Sequence, residues 1–100
     1  REWDAARDAY TRALDLIAEA DVDVSLRVAL HANRALAHLE LADAAAALAD
    51  CDRVLELDAG HAKARFRRGL ANEALGRLGE AMNDLQAAAD ALSDLNSDVL

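Results

Sequence analysis

Between Asp58 and Glu73 the chain carries no acidic residue, and the stretch HAKARFRRG (61–69) holds Lys63, Arg65, Arg67 and Arg68, four of its eleven Lys and Arg residues. Two kinds of cation, one Lys and three Arg, meet there. A guanidinium offers a planar fork that fits a carboxylate bidentately, while an ammonium is a mobile point charge. Residues four apart on a helix differ by about 40° in direction, so Lys63 and Arg67 share a face while Arg65 and Arg68 point elsewhere. That pair is a candidate anion holder, and Arg65 and Arg68 are expected to meet nearby carboxylates. The anion is not a nucleic acid, because 19 acidic residues and a formal net charge of -8 leave no broad basic face to neutralise phosphates.

Other chemistry finds little footing. Cys51 is the single cysteine and sits where an apolar side chain is expected, so it reads as a buried, inert thiol. His31 and His38 are seven residues apart, about 10 Å along a helix, too far to grip one metal ion, and read as surface or groove histidines. Asp50 and Asp52 read as a solvated pair. The hydroxyls Thr11, Ser25, Ser93 and Ser97 stand in no nucleophile context, and the glycines at 60, 69, 76 and 79 form no phosphate loop. No enzyme activity, metal or cofactor is implied.

These residues must be positioned by helices. Proline is absent, β-branched residues are few, and 54% of the chain is hydrophobic with much of it alanine, which favours closely approaching helices. Overlaying residues 31–61 on 65–92 with a shift of 34 positions brings Ala35 onto Gly69, Ala37 onto Ala71, Ala42 onto Gly76 and Ala47 onto Ala81. Leu36 falls on Leu70, Leu41 on Leu75, Leu48 on Met82 and Cys51 on Leu85. A period near 34 with two helical patterns per unit marks a helix-turn-helix solenoid, in which each hairpin buries its apolar face on the next. The patterns predict about five antiparallel helices over 2–19, 24–41, 43–57, 61–75 and 77–93, with Asp21 or Asp23 capping the second.

The motifs A-x-A-x-x-x-L-A at 35–42 and G-x-A-x-x-x-L-G at 69–76, each followed by Ala47 or Ala81, resemble the small-residue framework of the tetratricopeptide repeat family. WDAARDAYTRALDL (3–16) is similar to the second helix of a preceding unit, with Trp3 and Tyr10 on one stripe expected to pack in the core. The resemblance implies an all-α, right-handed superhelical solenoid of two and a half units. Residues 1–20 would be the second helix of a truncated first repeat, 24–58 the second repeat, 61–93 the third, and 94–100 a tail or the start of a following element. Ala59 replaces the proline that usually closes a unit, and Gly60 is expected to supply the helix stop instead.

Within that family the chain resembles the co-chaperone class, in which an Asn in an N-R-A context and a K-x-x-x-R on the next first helix form a carboxylate clamp. Here those are Asn33, Lys63 and Arg67. The resemblance implies a concave groove binding the acidic C-terminal peptide of a heat-shock chaperone, with Ala32, Leu36, Phe66 and Leu70 as an apolar wall. Each charge-assisted bond would contribute roughly 1.5–3 kcal/mol, which with two or three bonds gives micromolar affinity. Glu40 stands near a position where related grooves often carry a Lys. The alternative is a scaffold or self-association module using the exposed apolar flank of the first helix. A lone cysteine, no visible signal peptide and no membrane-length apolar run favour a cytoplasmic location.

Overall fold

The structure, a computed structural model, describes the backbone of residues 2–99 and the side chains of residues 2–94. Five helices follow in order: α1 (Glu2–Ile17), α2 (Val24–Glu40), α3 (Ala44–Leu57), α4 (Ala62–Ala74) and α5 (Leu78–Val99). The described residues contain no strand. Successive helices pack on one another, and α2 also touches α4, so these two helices lie side by side. No helix among the described residues is long and apolar enough to cross a membrane.

Side-chain caps start three of the helices. The Asp23 carboxylate accepts from the Ser25 amide at 2.9 Å, and that of Asp43 accepts from the Ala46 amide at 3.2 Å. At α4 the cap is His61, whose Nδ1 accepts from the Ala64 amide at 3.1 Å and so must be unprotonated there. The turns closing α2 and α4 are built alike. Ala42 (φ 60°) and Gly76 (φ 80°) both take the left-handed conformation, and Asp43 and Arg77 donate their amides to the carbonyls of His38 and Asn72, each at 2.8 Å. Gly60, expected to stop α3, does not take this conformation. Asp58 ends that helix instead, donating its amide to Val54 and accepting from the His61 amide. The last helix also continues through Val99, past the end expected near 93, since no Gly or Pro interrupts LSDLNSDV.

The core is made of small residues. Ala35, Ala37, Ala47, Cys51, Val54, Ala64 and Ala71 are fully buried, and Val54 and Cys51 are the largest of the fully buried side chains. Small size lets the backbones approach. A methyl group on Gly69 would lie 2.8 Å from Cγ and Cδ2 of Leu85, so the α4–α5 contact has no room for a Cβ unless that leucine moves. By contrast α1 has no fully buried residue: Trp3 and Tyr10 are half-buried rather than core, and Leu16 is 78% exposed.

Candidate functional site

A groove of about 420 Å³ runs between the C-terminal end of α2, the exposed face of α4 and the far part of α5. Its apolar surface comes from Leu36, Leu39, Phe66, Leu70, Ala88 and Leu92. Lys63, Arg67 and Glu40 bring charge to it. The helical spacing explains the grouping: Lys63, Phe66, Arg67 and Leu70 are three or four residues apart, so they fall on one face of α4.

Lys63 is exposed and, among the described residues, makes no ion pair. Arg67 is half-buried and crosses to the neighbouring helix, where its Nη1 donates to the Ala32 carbonyl at 2.8 Å. Its other nitrogens make no hydrogen bond with a described residue, so the guanidinium is held in place while donors remain free. The Ala32 side chain is buried against Val28, Val54 and Ala64, so Ala32 belongs to the core and not to the groove wall. Asn33 is exposed on α2 and does not line the groove. Arg67 nevertheless reaches the residue directly before it.

No family model matches the chain. Among curated relatives it is 40% identical over 88 residues, 88% of its length, to serine/threonine-protein phosphatase T of Aspergillus oryzae, and spans 17% of that relative. It is 50% identical over 60 residues, 60% of its length, to the FK506-binding protein-like protein of Homo sapiens, again spanning 17% of the relative. Among solved structures, the first TPR of Spaghetti bound to the HSP90 peptide SRMEEVD superposes with a TM-score of 0.77 at 34% identity, covering 90% of this chain and 66% of that one. The second TPR of Spaghetti, bound to the same peptide, superposes with a TM-score of 0.74 at 34% identity, covering 87% of this chain and 74% of that one. The chain belongs to the tetratricopeptide repeat family.

Away from the groove, the helix pairs α2–α3 and α4–α5 share a polar device that the small-residue overlay leaves unseen. Arg34 grips the buried Asp50 bidentately, Nε to Oδ2 at 2.8 Å and Nη2 to Oδ1 at 2.7 Å. Arg68 grips the buried Asp84 in the same way, with both bonds at 2.8 Å. The same 34-residue shift relates these pairs, and that coincidence of charged residues was the available signal. Each Arg also reaches back to the helix before its own, Arg34 to Thr11 of α1 at 3.1 Å and Arg68 to Asp52 of α3 at 3.0 Å. One guanidinium thus ties three helices together.

Asp50 therefore does not form a solvated pair with Asp52, because only 3% of it is exposed. Nor are its histidine neighbours ordinary surface groups. His31 Nδ1 lies 3.0 Å from Asp50 Oδ1, and since a carboxylate only accepts, that nitrogen carries the proton. His38 Nε2 lies 3.5 Å from Oδ2. Burial pushes the Asp50 carboxyl up, but hydrogen bonds from Arg34 and His31 outweigh it and hold the group below the usual carboxylate range. The hydrogen bond to Asp84 is the main reason the Arg68 pKa is raised. Arg68 therefore meets carboxylates as expected, whereas Arg65 donates instead to the Ala59 carbonyl at 2.7 Å. Burial pushes the Cys51 thiol up to about 12, in keeping with an inert core thiol.

Proposed function

We propose that the groove between α2, α4 and α5 binds the acidic C-terminal peptide of a heat-shock chaperone, so that the chain is a non-enzymatic adaptor acting in the cytoplasm. The observation that carries this reading is the meeting of unpaired Lys63 and tethered Arg67 with an apolar wall of Leu36, Phe66 and Leu70 in one open groove. A carboxylate would sit between the ammonium and the free guanidinium nitrogens, with the Asn33 amide as a neutral donor at the edge. The wall would receive an apolar side chain. Two solved tetratricopeptide domains of the same shape hold the peptide SRMEEVD, which has this combination of acidic and apolar groups.

Titration of SRMEEVD with a free C-terminus tests the reading. Binding should be micromolar, weaken with salt and fall by about tenfold or more in Lys63→Ala. Lys63 is the cleaner probe, because Arg67 also joins α4 to α2. Unchanged binding of the C-terminally amidated peptide would exclude a held terminal carboxylate.

A further inference from the structure

Glu40 lines the same groove as Lys63 and Arg67, yet nothing in the fold accounts for it. It is exposed and forms no ion pair or hydrogen bond with any described residue. Most acids with a described partner do structural work: Asp23 and Asp43 cap helices, while Asp50, Asp52 and Asp84 pair with arginines. Glu40 occupies the last turn of α2, where a negative charge faces the negative end of the helix dipole and is mildly unfavourable. The stop after it is made by the backbone of Leu41, Ala42 and Asp43. The repeat itself does not require an acid there, because the 34-residue shift places Ala74 at the equivalent position of the next unit.

We infer that Glu40 determines the specificity of the groove, disfavouring an acidic ligand side chain about three residues before the held carboxylate and favouring a neutral or basic one. This deepens the carboxylate-holding reading and rests on it. The position follows from distance: Arg67, which holds the carboxylate, is anchored on the Ala32 carbonyl, and Ala32 and Glu40 are eight residues apart on α2, about 12 Å of helix, which an extended peptide covers in about three to four residues. A ligand side chain opposite Glu40 falls within the screening length of about 8 Å at physiological salt, so the effect on binding is modest but measurable.

The test pairs two peptides with three proteins. SRMEEVD and SRMKEVD, which differ in charge at the third position before the C-terminal residue, are titrated against the unaltered chain, Glu40→Gln and Glu40→Lys. The unaltered chain should bind SRMKEVD about three- to fivefold more tightly than SRMEEVD at low salt. That preference should shrink toward parity in Glu40→Gln, invert in Glu40→Lys, and fade in all three at high salt. Thermal melts by circular dichroism should show both variants folded, since neither removes a contact. A single peptide preference shared by all three proteins would overturn the role of Glu40 while leaving the carboxylate reading in place. If neither peptide binds any of the three more tightly than it binds Lys63→Ala, the carboxylate reading falls, and this inference with it.

Discussion

The helix pairs α2–α3 and α4–α5 form two units that use one backbone plan with different side chains, and the differences show which parts of the plan are fixed. Both keep an Arg on the first helix locked to an Asp sixteen residues later, Arg34 to Asp50 and Arg68 to Asp84. Around that constant pair the surroundings change. Asp50 is flanked by His31 and His38, whereas Asp84 has Asn72, and Arg68 has a second carboxylate in Asp52 where Arg34 has the hydroxyl of Thr11. Core volumes shift in compensation, since Ala35 and Cys51 of one unit correspond to Gly69 and Leu85 of the other. Where the partner is as large as Leu85, the facing residue is reduced to glycine, which keeps the two helices close.

Removing the buried carboxylates should separate the two units most strongly. Asp50→Ala leaves Arg34 with only a hydroxyl partner and strands two histidines, so a loss of about 3 kcal/mol is expected. Asp84→Ala should cost less, about 2 kcal/mol, because Arg68 retains Asp52. Urea melts of the two variants give the comparison, and equal losses would show that the extra partners do not matter.

A smaller effect is expected from exchanging the core pairs. Gly69→Ala should destabilise by about 1–2 kcal/mol although alanine is the better helix former, because the new methyl meets Leu85. Adding Leu85→Cys recreates the Ala35 and Cys51 combination of α2 and α3 and should recover most of that loss. Additive costs in the double variant would mean that the two sites do not compensate.

The turns supply a third contrast of about 1 kcal/mol. Ala42 holds a left-handed conformation that Gly76 holds without strain, so Ala42→Gly should raise the melting temperature and Gly76→Ala should lower it. Acid sharpens the comparison last. The Asp50 pKa is depressed in the folded state, so its contribution is present above the ordinary carboxylate range near pH 4 and is lost as pH falls through the lower folded value. Stability should therefore drop on acidification below about pH 4, and Asp50→Asn should flatten that drop.

Much of this was legible in the sequence. The 34-residue spacing of Ala35, Ala37, Ala42 and Ala47 against Gly69, Ala71, Gly76 and Ala81 gave the solenoid and its turns, because small residues are placed where backbones meet. The shared face of Lys63, Phe66, Arg67 and Leu70 followed from helical periodicity alone. Other features were illegible for definite reasons. The cap at His61 depends on a ring nitrogen finding one amide, the helix stop at Asp58 instead of Gly60 depends on φ, which composition does not fix, and the burial of Asp50 depends on partners 16 and 19 residues away.

Taken by itself, the sequence determined the class of element, the period of the repeat and the residues that share each helix face, since all three depend on local geometry that a linear pattern carries. Only the tertiary structure decided which acids are buried in ion pairs and which stand free, that Arg67 reaches the Ala32 carbonyl, and that Leu92 of α5 joins the groove wall. Those outcomes depend on how helices far apart in the chain cross one another, which sets the few ångströms that separate a partnered charge from an unpartnered one.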